Sequence, residues 1–198
     1  MATTPQTAAQ SASAKIAKRL IPFLIVCYFI SYLDRVNLGF AALTFRKDLA
    51  ISAEVFGLGA GIFFLGYFLF EVPSNLLLEK VGARIWIARI MITWGLISAA
   101  MALVQGEISF YSVRFLLGLA EAGFFPGIIL YLTYWYTAAE RAKVVGMFMV
   151  AVPLSSAIGS PLSSWILNAF EGTGGLASWQ WLFIIEALPA ILFGIIVW

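Results

Sequence analysis

The sequence contains no histidine and a single cysteine, Cys27. Without histidine, the chain lacks the commonest general base, the nucleophilic triads built on histidine and most kinds of zinc site. Neither an HExxH nor a GxSxG motif is present. We therefore expect no enzymatic activity, no catalytic residue, no metal and no cofactor. A lone cysteine also excludes a disulfide framework.

Charged residues are scarce as well, at 11% of the chain, whereas 62% of the residues are hydrophobic. A soluble domain carries about 25% charged residues. A transmembrane helix needs about 20 mostly apolar residues. Six such stretches are present, at about 20–45, 55–78, 84–105, 108–134, 143–169 and 179–198. The sequence predicts an all-α integral membrane protein, with a disordered basic tail over residues 1–19 and a six-helix transmembrane bundle over 20–198.

The placement of the basic residues predicts the orientation of the bundle. Lysine and arginine beside short loops favour the cytoplasmic side. With the N-terminus inside, Arg46 and Lys47 lie near outer ends, and eight basic residues lie at or near cytoplasmic ends: Lys15, Lys18, Arg19, Lys80, Arg84, Arg89, Arg141 and Lys143. We expect a multi-pass protein of the inner (plasma) membrane with both termini in the cytoplasm, a lipid bilayer around it and no nucleic-acid partner.

A few charges lie inside the apolar stretches, namely Asp34, Arg35, Glu71, Arg114, Glu121 and Glu186. A charge near the bilayer centre costs at least ~2.5–3.5 kcal/mol on insertion scales, so it usually faces a protein interior or a water-filled path. Charges of both signs at similar predicted depth indicate a solute pathway. Arg114 and Glu121 share one face of the fourth helix, and Gly118 between them leaves room for a ligand or a neighbouring backbone.

These charges suggest a coupling cycle. Arginine keeps its proton and needs an anion beside it, whereas a carboxylate in an apolar medium prefers to be neutral unless a cation holds it charged. The hypothesis is that Asp34 and Glu121 hold Arg35 and Arg114 until an organic anion binds the arginines. The displaced carboxylates then take up protons. Tyr32 and Asn37, within a turn of Asp34, would line the cavity or serve packing.

Two other interpretations remain open at this stage. The buried charges are also compatible with structural ion pairs that fix the register of the helices in a bundle without transport activity. A channel is less favoured, because the sequence has no ring of like charge.

Four segments resemble the major facilitator superfamily, and specifically its anion:cation symporter family. They are residues 32–37 (YLDRVN), 79–84 (EKVGAR), 114–127 (RFLLGLAEAGFFPG) and 179–186 (WQWLFIIE). The resemblance implies symport of an organic anion with protons, the anion being a carboxylate such as a sugar acid, a hydroxy acid or an aromatic acid.

By the same resemblance, Arg35 and Arg114 match the arginines that contact the anion, and Asp34 and Glu121 match the carboxylates linked to protons. The segment 79–84 matches the cytoplasmic gating motif, through Glu79, Gly82 and Arg84.

Members of this family have twelve helices, with the substrate between two six-helix halves. This chain corresponds to the N-terminal half and ends at Trp198 inside an apolar stretch. We expect that a C-terminal half or a second chain is needed for transport. An inverted repeat that relates the first three helices to the last three is also expected.

Overall fold

A computed structural model describes the backbone of residues 5–198 and the side chains of residues 18–198. It is 89% helical. The helices are α1 (Pro5–Asp48), α2 (Ala53–Val81), α3 (Ala83–Ala100), α4 (Glu107–Glu121), α5 (Phe124–Thr133), α6 (Ala138–Ala169) and α7 (Ser178–Val197). Short 3₁₀ turns cover Met101–Leu103 and Thr173–Gly175. Six spans within residues 18–197 are long and apolar enough to cross a membrane, with α4 and α5 together forming the fourth. The all-α, six-helix membrane fold is confirmed.

Two helix starts differ from those that the sequence suggests. Helix α1 begins at Pro5, inside the segment 1–19, although the part suited to crossing a membrane begins at Lys18; the disorder of that segment stays a prediction. Helix α6 begins at Ala138 rather than near 143, because Thr137 and Glu140 cap its first turn reciprocally. Such a capping box satisfies backbone N–H groups that a helix start leaves free.

The helices pack in a pattern that repeats when the first three spans are exchanged with the last three. Helix α1 packs on α6 and α7, α2 packs on α4, and α3 packs on α7 and α4. Exchanging the first with the fourth, the second with the fifth and the third with the sixth span maps α1–α6 onto α2–α4 and α1–α7 onto α3–α4, and it maps α3–α7 onto itself. This pattern is what an inverted three-plus-three repeat predicts.

Two apolar clusters fill the bundle, and a polar layer lies between them. Along α1 the first cluster ends at Ile30 and the second begins at Leu38. On four helices a buried polar residue lies between members of the two clusters: Asp34, Ser98, Arg114 and Glu186. Because these residues come from α1, α3, α4 and α7, the fold brings three of the embedded charges, Asp34, Arg114 and Glu186, into one region of the bundle.

The fourth span is broken immediately after Glu121. Gly123 has a φ of +83° and separates α4 from α5. The Ser74 hydroxyl of α2 donates to the carbonyl oxygen of Ala122 at 2.7 Å, and the Trp86 indole donates to Ser74 at 3.0 Å. A positive φ suits glycine, and the Ser74 bond satisfies a backbone oxygen at the break. The break fixes the end of α4 that carries Glu121.

Candidate transport site

An ion pair joins α1 to α4 in the polar layer. Arg35 donates to Oε1 of Glu121 from Nη2 at 2.8 Å and from Nε at 3.1 Å. The Ser31 hydroxyl, one helical turn before Arg35, donates to the same oxygen at 2.5 Å. Among the described side chains this is the one carboxylate–cation pair within 4 Å. The fold thus brings together Arg35 and Glu121, two of the four charged residues of the sequence-based cycle.

The two partners of this pair differ in access. The Arg35 side chain is 26% exposed, whereas the Glu121 side chain is fully buried. Arg35 lines a cavity of about 260 Å³ together with six other residues: Tyr28, Tyr32, Phe64, Tyr67, Phe125 and Met149. A ligand in this cavity meets the guanidinium group first. Glu121 lies behind it, and Ser31 binds its Oε1 from α1.

Aromatic rings surround the Arg35 guanidinium group. Its central carbon lies 5.2 Å from the ring centre of Tyr32 and 5.4 Å from those of Phe63 and Tyr67. Such rings stabilise a cation through their negative faces without neutralising it. They also limit water around the group, which strengthens its attraction for an anion. The wall of the cavity is therefore cationic and aromatic.

Asp34 does not pair with an arginine in the structure. Its carboxylate accepts hydrogen bonds from the Ser98 hydroxyl, from the Trp94 indole at 3.1 Å and from the Asn37 amide at 3.4 Å. Asp34 is 4% exposed and Asn37 is 1% exposed, and neither lines the cavity. The hypothesis pairs both carboxylates with arginines. The structure shows such a pair for Glu121 but not for Asp34, because Arg35 turns from α1 toward α4.

Arg114 is held by backbone oxygens of α2. Its Nε donates to the carbonyl of Gly59 at 3.3 Å and its Nη2 to the carbonyl of Ala60 at 3.5 Å. The Phe63 ring centre lies 4.8 Å from the guanidinium carbon. Within the described part of the chain, no carboxylate oxygen lies within 4 Å of this group. Arg114 therefore keeps most of its charge uncompensated, although it is 7% exposed here.

A model of the Major Facilitator Superfamily matches residues 24–198, which include all the charged residues of the polar layer. The chain belongs to the major facilitator superfamily. This is a family of transporters, and the prediction that the chain is not an enzyme is confirmed.

Relatives within the major facilitator superfamily extend this finding. A protein of Agrobacterium vitis named "Putative tartrate transporter" is 62% identical over 92% of this chain and 42% of its own length. The Inner membrane transport protein RhmT of Escherichia coli is 46% identical over 89% of this chain and 41% of its own length. The chain thus spans about two fifths of the length of these relatives.

A solved structure supports the major facilitator fold. The crystal structure of a bacterial homologue of the human lysosomal transporter Spinster, inward-facing and occupied, superimposes with a TM-score of 0.77 at 21% identity. The match covers 91% of this chain and 43% of that one. The half-length agreement fits the N-terminal six-helix half that the sequence predicts.

The major facilitator gating segment lies between α2 and α3. Glu79 is exposed at the end of α2, and Gly82 has a φ of +95° at the turn. Arg84 donates from Nε to the carbonyl of Val197 at 3.1 Å and from Nη2 to that of Trp198. The structure thus places Arg84 of the gating segment beside α7, while the gating role of the segment stays a prediction.

Several polar contacts of this major facilitator bundle were not identified from the sequence. Ser31 could have been found, since it lies four residues before Arg35 and so on the same helix face. Ser98 and Trp94 could not have been identified from the sequence, because their hydrogen bonds to Asp34 depend on α3 packing beside α1. Ser163, which donates to Glu186 across α6 and α7, depends on pairing of the same kind.

Proposed function

We propose that the full-length protein containing this chain imports an organic anion together with protons, as a member of the anion:cation symporter family. The observation that carries the proposal is the Arg35–Glu121 pair at the cavity wall. A partly accessible arginine bonded to a fully buried carboxylate offers an anion site whose occupant competes with an internal carboxylate. The tartrate in the name of the Agrobacterium relative is compatible with this site.

The proposed cycle begins with Arg35 bound to Glu121. A carboxylate of the substrate enters the cavity and takes the Nε and Nη2 hydrogen bonds of Arg35, which suit a carboxylate. Glu121 then loses its cation in an apolar setting and takes up a proton, because burial disfavours the charged carboxylate. Anion and proton therefore bind together. Release of both on the other side restores the internal ion pair.

The other predicted residues have proposed roles in the same cycle. Tyr32 contacts the substrate from the cavity wall, and Arg114 adds positive charge to the field around it. Asp34 is a second proton-linked carboxylate, held by neutral donors in the present state. Asn37 acts through Asp34 rather than from the cavity. The substrate class is a hydroxy acid, a sugar acid or an aromatic acid, with a small hydroxy dicarboxylate as the first choice to test.

We propose the inner membrane as the location, with the N-terminus and the end of α7 in the cytoplasm. The basic residues that predict this orientation include Lys80 and Arg84, which lie at the turn between α2 and α3. The printed name of the Escherichia coli relative also refers to the inner membrane. The binding site would be completed by a second six-helix half, on the same chain or on another.

A second candidate function is a membrane bundle that does not transport. The observation that favours it is Arg114, whose bonds to the Gly59 and Ala60 carbonyls join α4 to α2 as a structural contact does. In that case the only role of the polar layer is to fix the register of the helices. Substrate-dependent proton uptake distinguishes the two candidates, because only the transporter shows it.

Replacing Glu121 by glutamine is the variant that tests proton coupling. The amide retains the shape but cannot ionise, so Glu121→Gln is expected to lose accumulation of tartrate driven by a pH gradient. Counterflow of tartrate, which needs no net proton movement, is expected to continue. The measurement is uptake of labelled tartrate into proteoliposomes with and without an imposed pH gradient.

The matched control for this variant is Glu54→Gln, at an exposed position in the first turn of α2. It is expected to behave as the wild type in both assays. Gradient-driven accumulation by Glu121→Gln at the level of the control would contradict the proposed cycle.

A further inference from the structure

The Ser31 hydroxyl joins α1 to the buried carboxylate of α4. Serine side chains within a helix often bond to a carbonyl oxygen of their own helix, as Ser112 does with Ile108 at 2.8 Å. Ser31 instead donates to Oε1 of Glu121, 90 residues further along the chain, at 2.5 Å. Such a distance is typical of a hydroxyl that donates to an ionised carboxylate. The bond of Ser31 therefore stabilises the charged form of Glu121.

All the donors that reach Glu121 meet at one of its two oxygens. Oε1 accepts hydrogen bonds from the Ser31 hydroxyl and from Nε and Nη2 of Arg35. Oε2 is buried and has no hydrogen-bond partner among the described residues. A buried charge is costly unless hydrogen bonds and a counter-charge compensate it. Each of the three bonds to Oε1 is therefore important for keeping Glu121 ionised.

Ser31 is the donor that stays in place when Arg35 turns to a substrate. It is 1% exposed and does not line the cavity, so a ligand in the cavity meets Arg35 but not Ser31. The nearby cation of α3, Arg89, reaches the carbonyl oxygen of Ala120 at 3.5 Å and not the carboxylate of Glu121. Among the described side chains, Arg35 and Ser31 are the two that donate to this carboxylate.

We infer that Ser31 is a positioning residue that lowers the affinity of the site for its substrate and thereby promotes release. The inference rests on the proposed function, in which a substrate carboxylate and Glu121 compete for Arg35. Ser31 stabilises the ionised Glu121, which is the form that holds Arg35. It therefore favours the internal ion pair over the substrate-bound state, in which Glu121 is protonated.

The two oxygens of Glu121 have different tasks in this scheme. When the substrate takes Arg35, a proton from water forms an O–H bond with Oε2, the oxygen that has no donor. Oε1 keeps its bond from Ser31 and stays in position. On release, the O–H bond breaks, the proton returns to water, and Arg35 bonds to Oε1 again.

The test is Ser31→Ala in the full-length protein, with tartrate as the probe at one fixed pH. Without the hydroxyl the internal ion pair is a weaker competitor, so the Kd for tartrate is expected to fall about tenfold, the size of one hydrogen bond to a charged group. The maximal rate of uptake into proteoliposomes is expected to fall as well, because a more tightly bound substrate dissociates more slowly. Calorimetry and labelled uptake are the measurements.

Two further variants separate this role from a structural one. Ser31→Thr retains a hydroxyl and is expected to keep the Kd and the rate close to the wild-type values. Ser112→Ala removes an exposed hydroxyl of α4 that bonds to its own helix, and it is also expected to leave both unchanged. If Ser31 only holds α1 against α4, Ser31→Ala lowers the unfolding temperature without lowering the Kd.

The possible results separate the inference from the proposed function. If the wild type takes up tartrate and Ser31→Ala binds it equally well or more weakly, the inference is wrong and the proposed function stands. A low Kd in Ser31→Thr, equal to that of Ser31→Ala, also overturns the inference, because the hydroxyl is then not the cause. If the wild type takes up neither tartrate nor a sugar acid nor an aromatic acid, both fail.

Discussion

Replacing Arg35 by glutamine is expected to abolish substrate binding and, at the same time, to lower the thermal stability of the bundle. The cavity loses its accessible cation, so the carboxylate of a substrate has no charged donor to replace water. Glu121 is left buried without its ion-pair partner. Removing one member of a buried pair costs about 3–5 kcal/mol, and we expect about 2 kcal/mol here since Arg35 is 26% exposed.

The double variant Arg35→Gln/Glu121→Gln separates the two effects. With both charges gone, the unpaired carboxylate no longer destabilises the fold, so the unfolding temperature is expected to return toward the wild-type value. Substrate binding is expected to stay lost. Tartrate binding by calorimetry and thermal unfolding in detergent are the measurements. Recovery of binding in the double variant would mean that Arg35 serves the fold and not the substrate.

Replacing Gly118 by alanine is expected to have the largest effect on folding. Gly118 lies between Arg114 and Glu121, where α4 crosses α2. A Cβ at this position would be 2.9 Å from the backbone nitrogen of Tyr67 and closer still to the carbonyl oxygen of Phe63. Backbone atoms cannot move aside as a flexible side chain can, so the helices would have to separate. We expect a loss of about 3 kcal/mol or more in the free energy of unfolding.

Gly61→Ala is the matched control, because it also lies in a membrane helix of the same crossing pair. A Cβ at Gly61 meets nothing within 4 Å. The substitution is expected to be neutral or mildly stabilising, since alanine favours a helix by about 1 kcal/mol over glycine. The measurement is the yield of monodisperse protein and its unfolding temperature. Equal behaviour of the two variants would show that α2 and α4 do not approach as closely as described.

The sequence predicts the fold well, because long apolar stretches with few charges cross a membrane as helices. Asp34, Arg35, Arg114 and Glu121 also stand out in the sequence against apolar neighbours, and their roles in transport stay predictions. The sequence left open whether the space at Gly118 holds a ligand or a neighbouring backbone. In the structure the backbone of α2 fills it.

The pairing of those charges could not be predicted from the sequence, because it depends on how the helices are arranged. Asp34 and Arg35 are adjacent in sequence, yet Asp34 faces α3 and Arg35 faces α4. Nothing in the local pattern shows which neighbour each will meet. The capping of α6 at Thr137 could have been read from the sequence, since Glu140 follows at the spacing of a capping box.

The break after Glu121 likewise depends on a contact between helices. Glycine and proline near residues 123–126 are compatible with a kink or with tight packing. The structure shows a break, at which Pro126 has no N–H to donate to the Ala122 carbonyl and Ser74 of α2 donates to it instead. The resulting geometry gives Glu121 its position opposite Arg35 at the end of α4.

The most direct test of the central claim is proton movement by the wild-type, full-length protein in proteoliposomes. Neutralised organic acids are added outside one at a time, with tartrate first and sugar and aromatic acids after it, while external pH is recorded. The account predicts alkalinisation of the medium with at least one acid, and its loss in Arg35→Gln. Uptake of an acid with no accompanying proton movement would contradict proton coupling, and no uptake of any acid would contradict the assignment of an organic-anion site at Arg35.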